Sequence, residues 1–279
     1  MIKLKADLHV HTYYSDGLFS PDEVVSSAIK NGLGAVAVTD HDCTLAYNEL
    51  SVLCKSAGIK AVRGIEVSAY AGDVKIHTLG YGFDETNSDF TAFLKKLYDG
   101  ALVRAEDIIN KLNKNSIKTT LDEVLAYRKS QLSPVHAMHI ARACALKGYC
   151  GGNADKIFFN YLAYGKCAFS NLCRPTPEEA VEVISACGGF SSLAHPGRID
   201  LPSDELLKLI GRMKACGLGG IEAVYSAHTQ DETAYYKETA RTFNLSVTGG
   251  SDTHYDGGYR KIGTPEFYIG EALAEKLKI

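Results

Sequence analysis

Three features are missing from this chain, and each absence closes off a class of function. None of its eight cysteines, at positions 43, 54, 144, 150, 167, 173, 187 and 216, forms a C-x-x-C pair. That excludes the usual zinc-knuckle spacing and reads as scattered reduced thiols rather than a disulfide framework. No apolar run approaches the ~20 residues needed to cross a bilayer, and MIKLKADLHVHT lacks the long apolar stretch of a signal peptide. The expectation is a cytoplasmic protein with no membrane partner. Positive charge is not in excess either: 30 Lys and Arg face 33 Asp and Glu, a net charge of −3. A long nucleic-acid duplex calls for a broad basic field, so any attraction for anions must be local. Internal repeats and low-complexity segments are also absent.

What remains is an ordinary globular composition, 46% hydrophobic and 23% charged over 279 residues. The length suits one α/β barrel with an insertion. Strand signals fall at Lys3–His11, Gly34–Asp40, Lys60–Val67, Val74–Gly80, Gly189–Ala194, Gly219–Val224 and Leu245–Gly249. Most alternate with helical stretches, at about 44–57, 203–216 and 230–243, which predicts a parallel sheet or a closed barrel. Ser20-Pro21-Asp22-Glu23 is a helix start, with Ser as cap, Pro in the first turn and Glu three residues on. The rhythm breaks in the middle, where Phe90–Asn113, Leu121–Arg128, His136–Lys147 and Ala154–Ala163 read as helices. The expected organisation is a barrel formed by 1–87 and 166–279, with 88–165 inserted as a helical cap.

The chemistry-bearing residues collect where strands end. Of nine histidines, His9, His11, His41, His77 and His195 lie at or just past a predicted strand end, and His254 follows the last strand. Alternation along a strand turns His9 and His11 to one face, together with Asp7. Carboxylates mark the same places: Asp16 in SDG, Asp40 and Asp42 beside His41, Glu66 in GIE, and Asp252 in GSDTH. Each residue alone has a plain structural reading, Asp16 as a turn former for example. Six imidazoles and several carboxylates at one barrel mouth would be costly to bury without a cation. The mixture of imidazole and carboxylate oxygen suits zinc, manganese or iron.

DLHVHTYYSDG, VTDHD, GIEVS, IHTLGYG, AHPGR and GSDTH, in that order over residues 7–254, resemble the motifs of the PHP (polymerase and histidinol phosphatase) family. FFNYLAYGKCAF followed by TPEEAV, and HIAR at 139–142, are similar to its stand-alone phosphoesterases with an inserted helical domain. The resemblance implies a distorted (β/α)7 TIM-like barrel. It also implies three divalent metals, manganese first, with iron or zinc as alternatives. By motif, one metal would take His9, His11, Glu66 and Asp252. A second would share Glu66 and add His77 and His195. A third would use Asp16, His41 and His254. The chain departs from the family at Ala137, where relatives often carry an arginine.

Three divalent ions against three ligand carboxylates leave a local excess of positive charge, which favours a phosphate. Metals bridged at ~4 Å can turn a shared water into an in-line nucleophile and clamp the phosphoryl oxygens. The leaving group would take its proton from a metal-bound water or a ligand-shell histidine. Arg142 and Arg198 are the candidate phosphate contacts, since a guanidinium grips phosphate with paired hydrogen bonds. His139 shares a helical face with Arg142. The family resemblance points to a small phosphorylated substrate: a nucleoside 3′,5′-bisphosphate losing its 3′-phosphate, or a short 5′-phosphorylated oligonucleotide. The alternatives are a histidinol-phosphate-type phosphatase, an amidohydrolase-like C–N hydrolase and a non-enzymatic metal-binding module.

Overall fold

The computed structural model describes residues 3–256 and 260–279. β1 (Leu4–Val10), β2 (Ala35–Val38) and β3 (Lys60–Ala71) alternate with α1 (Pro21–Lys30) and α2 (Ala46–Ala57). The α1 cap forms as its sequence implies. Ser20 Oγ accepts from the Glu23 N–H at 3.2 Å, and Glu23 accepts from the Ser20 N–H at 2.7 Å. Val24, Val25 and Ala28 of α1 and Leu50 and Cys54 of α2 then bury against Val36 and Val38. The three strands run parallel, as continuously apolar strands under helices do.

β4 (Val74–Tyr81) breaks the expected parallel order. It pairs antiparallel with β3, Ser68 opposite His77 and Val67 opposite Thr78. It is antiparallel to β5 (Phe190–Leu193) too. The cause is chain length: a parallel crossover needs about a dozen residues, and only Gly72-Asp73 separates β3 from β4. His77 therefore lies near the start of its strand, not at its end. The reversal still delivers it to the mouth that the other strands reach with their ends.

The helices between β4 and β5 are α3 (Ser88–Lys114), α4 (Leu121–Tyr127), α5 (Ala137–Leu146) and α6 (Ala154–Ile157), followed by α7 (Pro177–Ala186). α3 belongs to two cores. Its first turns place Phe90, Phe93 and Leu97 against Ile65, Val67 and Ile184 of the barrel layer. Its later turns join Ile108, Ile109 and Leu112 to Val124, Ile140 and Ile157 in a separate helical core.

β6 (Gly220–Tyr225) and β7 (Ser246–Gly250) continue parallel to β5, alternating with α8 (Ser203–Ala215) and α9 (Gln230–Thr242). An eighth strand, β8 (Phe267–Ile269), adds antiparallel to β1 and is followed by α10 (Glu271–Leu277). The strand order is β7-β6-β5-β4-β3-β2-β1-β8. The seven expected strands are thus eight; a three-residue strand carries too little pattern to stand out. The ends of the sheet meet beyond β7, where the Asp252 N–H donates to the His9 carbonyl at 2.7 Å and the His11 N–H to Thr253 at 3.0 Å. Buried Asp7 brackets this closure. It accepts from the backbone N–H groups of His9, Ser251 and Gly263 at 3.1, 2.9 and 2.8 Å. The result is a nearly closed barrel. Among the described residues no helix is long and apolar enough to cross a membrane.

Candidate metal centre

Glu66, fully buried on β3, stands at the middle of the mouth. Its Oε1 lies 2.7 Å from His77 Nδ1 and 3.1 Å from His195 Nε2. Its Oε2 lies 3.3 Å from His9 Nε2, 3.1 Å from His11 Nε2 and 2.9 Å from His41 Nδ1. Asp252 Oδ1 is 3.5 Å from His9 Nε2 and 3.2 Å from His11 Nε2. Asp16 Oδ1 faces His254 Nε2 at 3.4 Å and His41 Nε2 at 3.9 Å.

The sequence-derived ligands all meet here. Three groups bring their donor atoms within 4.8 Å of one another: His9, His11, Glu66 and Asp252; His41, Glu66 and His77; and His11, Asp16, His41 and His254. The first group is the set that the motifs implied. In the second, His41 joins Glu66 and His77, while His195 Nε2 stands 3.2 Å from His77 Nδ1. In the third, His11 joins the expected trio.

Local backbone geometry sustains the cluster. Asp42, His195 and Asp252 adopt left-handed φ values of 52°, 27° and 54°, which side chains beyond glycine tolerate only under tertiary constraint. At Gly250 a Cβ would lie 2.4 Å from His9 Cβ. Only glycine lets β7 approach β1 closely enough to set Asp252 beside His9.

Hydrogen bonding alone does not satisfy these groups. His9 Nε2, His11 Nε2, His41 Nδ1, Glu66 Oε2 and Asp16 Oδ1 are buried and have no hydrogen-bond partner. Orphaned buried polar atoms are rare in folded proteins, and here they converge on shared points. Imidazole nitrogens with carboxylate oxygens are the donor set of a first-row divalent cation, so these residues fit one. Burial alone would raise the Glu66 carboxyl, but His77, His41 and His9 hold it well below the usual carboxylate range. The same contest, against His9, His11 and His254, keeps Asp252 low, and His41 and His254 keep Asp16 low. Three carboxylates thus stay anionic in a water-poor mouth, ready for cations.

The candidate substrate residues separate into three positions. Arg198 lines a cavity of about 420 Å³ between barrel and helices, whose wall includes Asp16 and His41. Arg142 lines a second, of about 350 Å³, with Asp16, His254 and Arg260. His139 lines neither cavity. It is buried, and its Nδ1 accepts from the His136 N–H at 3.2 Å. His136 itself caps α5 and lines the larger cavity, 5.8 Å from the His41 ring. His228 holds a loop: its Nε2 accepts from the Gly197 N–H at 3.1 Å, and its Nδ1 meets the Ala223 carbonyl at 3.1 Å.

Sequence reading passed over the residues that hold the ligands in place. Glu222, fully buried on β6, bonds His9 Nδ1 at 2.9 Å and accepts from the His195 N–H at 2.9 Å. Tyr225 Oη donates to Asp252 Oδ2 at 2.8 Å, and Arg260 pairs with the same carboxylate. Arg174 pairs with Asp42 beside His41. The one available signal was a carboxylate in the middle of an apolar strand, GIEAVY.

An α/β barrel with a histidine–carboxylate cluster of this kind at its mouth defines a metal-dependent hydrolase. Residues 7–161 match the family model described as PHP domain. The chain is 32% identical to a 5′-3′ exoribonuclease of Haemophilus influenzae, covering 93% of each protein. It is 31% identical to a 3′,5′-nucleoside bisphosphate phosphatase of Chromobacterium violaceum, covering 93% of this chain and 91% of that one. A crystal structure of a candidate metal-dependent phosphoesterase from Bifidobacterium adolescentis superposes with a TM-score of 0.86 at 28% identity, over 98% of this chain and 95% of that one. The chain belongs to the PHP domain family, and it is a metal-dependent phosphoesterase.

Proposed function

We propose that the three groups hold three divalent cations, manganese by first choice, and that the enzyme cleaves a small phosphorylated nucleotide. The orphaned ligand atoms around Glu66 carry the reading on the metal side. On the substrate side, two cavities flank the same carboxylate, Asp16. Bound cations there would lower the pKa of a water and neutralise phosphoryl oxygens.

The chain's own groups orient these parts. Glu222 fixes His9 so that Nε2 faces the cluster. Arg198 lines the larger cavity and Arg142 the smaller one, each together with Asp16, and both bind phosphate oxygens. Residues 88–165 act as a cap that closes the larger cavity and limits substrate size. Tyr70, Tyr164 and Phe169 give that cavity an aromatic wall, which suits a nucleoside. A 3′,5′-bisphosphate or a short 5′-phosphorylated oligonucleotide meets these requirements.

The test is phosphate release by Mn²⁺-loaded protein from adenosine 3′,5′-bisphosphate, short 5′-phosphorylated RNA, histidinol phosphate and a cyclic amide, with bound metal measured in parallel. Turnover of a nucleotide is expected. Turnover of the amide alone would overturn the reading.

A further inference from the structure

His136 is 6% exposed, and its ring nitrogen Nε2 is buried with no hydrogen-bond partner. The residue stands at the head of α5, where the helical insertion faces the barrel mouth. It lines the cavity of about 420 Å³ together with Asp16 and His41, and its ring centroid lies 5.8 Å from that of His41. Orphaned buried nitrogens are rare, and those of the cluster converge on shared points. His136 does not join them. It belongs to none of the three groups whose donor atoms lie within 4.8 Å of one another. Its unpaired atom therefore answers to a partner other than the ions those groups fit.

Local bonding fixes what Nε2 can offer. The His136 N–H donates to His139 Nδ1 at 3.2 Å, and the His136 side chain faces the His139 N–H in return, as in a capping box. Since Nε2 has no partner, the capping atom is Nδ1. A neutral imidazole that accepts at Nδ1 carries its proton on Nε2. Burial, with His139 alongside, holds the His136 pKa well below the usual histidine value, so the ring is uncharged. It presents one N–H donor and no lone pair to the cavity.

In-line displacement at phosphorus sets the leaving oxygen opposite the attacking one. The ligand cluster forms the barrel side of the cavity, so attack from that side sends the leaving oxygen toward the insertion. His136 stands there, at the positive end of the α5 dipole, which favours negative charge as it develops.

We propose that His136 Nε2–H donates a hydrogen bond to the leaving oxygen as the P–O bond breaks, a catalytic role separate from metal binding. The electron pair of that bond stays on the leaving oxygen, the hydrogen bond stabilises the resulting anion, and the anion takes its proton from solvent water. His136 keeps its own proton throughout. The assignment rests on the phosphoesterase reading above and deepens it, without depending on which nucleotide is cleaved.

The test compares esters with poor and good leaving groups, adenosine 3′,5′-bisphosphate and 4-nitrophenyl phosphate, on Mn²⁺-loaded protein. His136→Ser keeps a strong helix cap and removes the donor; His136→Gln returns an N–H donor. In His136→Ser, kcat/KM is expected to fall about 100-fold on the nucleotide and less than about threefold on the nitrophenyl ester, whose leaving anion needs little stabilisation. His136→Gln should recover part of the loss. The kinetic isotope effect of ¹⁸O in the leaving oxygen should grow in His136→Ser on whichever ester is turned over, and bound metal, read by elemental analysis, should match the parent. Equal losses on both esters, or kinetics and isotope effects like the parent's, would overturn the role. Fewer bound metal equivalents in His136→Ser would overturn it too, and make His136 a ligand. If the parent hydrolyses 4-nitrophenyl phosphate but no nucleotide, the nucleotide reading fails by itself, and phenyl phosphate takes the place of the poor-leaving-group ester in deciding on His136.

Discussion

Glu222 joins two histidines of the candidate metal site, His9 on β1 and His195 just past β5: it bonds His9 Nδ1 at 2.9 Å through one oxygen and accepts from the His195 N–H at 2.9 Å through the other. Partners that hold the far nitrogen of a ligating imidazole fix its tautomer and raise its basicity. Glu222→Gln is expected to weaken metal binding about 10- to 100-fold with little change in fold. Titration of the metal-free protein with Mn²⁺, alongside circular dichroism, checks this.

Stripping the metals should cost stability as well as activity. Ligands that bind only in the folded state stabilise it by about 4 kcal/mol at a thousandfold excess over Kd. For a chain of this length that corresponds to a melting shift on the order of 10 °C. Differential scanning calorimetry with chelator, followed by Mn²⁺ readdition, is the measurement. On the proposed three-ion reading, Asp16→Asn should reduce the bound metal from three equivalents to two, read by elemental analysis.

Buried His139 supplies a pH dependence outside the ligand set. Burial lowers its pKa to about 4. The folded state thus binds this proton less readily than the unfolded chain, whose histidine titrates near 6.5. Its contribution to stability is complete above pH ~6.5 and is lost as pH falls toward 4. Between pH 7 and 5 that loss amounts to about 2 kcal/mol. In metal-free protein, the stability difference between the parent and His139→Asn should shrink by this amount, as urea titrations at the two pH values would reveal.

The Asp7 bracket can be tested by chemistry at one atom. Asp7→Ala abandons three buried N–H groups and should cost about 3–4 kcal/mol. Asp7→Asn should be intermediate, because its amide NH2 would oppose the Gly263 N–H that Asp7 Oδ2 now accepts. Chemical denaturation of both variants tests the order.

Several of the candidate ligands stand out in the sequence because His9, His11, His41, Glu66 and His195 lie at or just past the ends of apolar runs, which declare themselves by composition, whereas Asp16 sits in a turn and enters the set only through the family motifs. Direction was not legible. VKIHTLG reads the same whichever way it is laid into a sheet, and only the two-residue link to β3 decides that β4 runs backwards. β8 escaped notice because three residues set up no period. Glu222 and Tyr225 were hidden for another reason: their roles depend on β6 lying across the barrel from β1, a relation between distant segments. Arg174 gave no sequence signal, since an arginine in a loop is ordinarily a solvated one.

The hairpin of β3 and β4 sets Ser68 opposite His77, so Glu66 and His77 become neighbours as soon as a short, local piece of chain folds. His9 and Asp252 arrive differently. Their strands meet through contacts such as Ser251 Oγ to the His9 carbonyl, 242 residues apart in sequence. Contacts that close such long loops are slow to form. Half of the metal nest is therefore available early in folding and the other half only at the final closure, so tight capture of the ions marks the moment the barrel is complete.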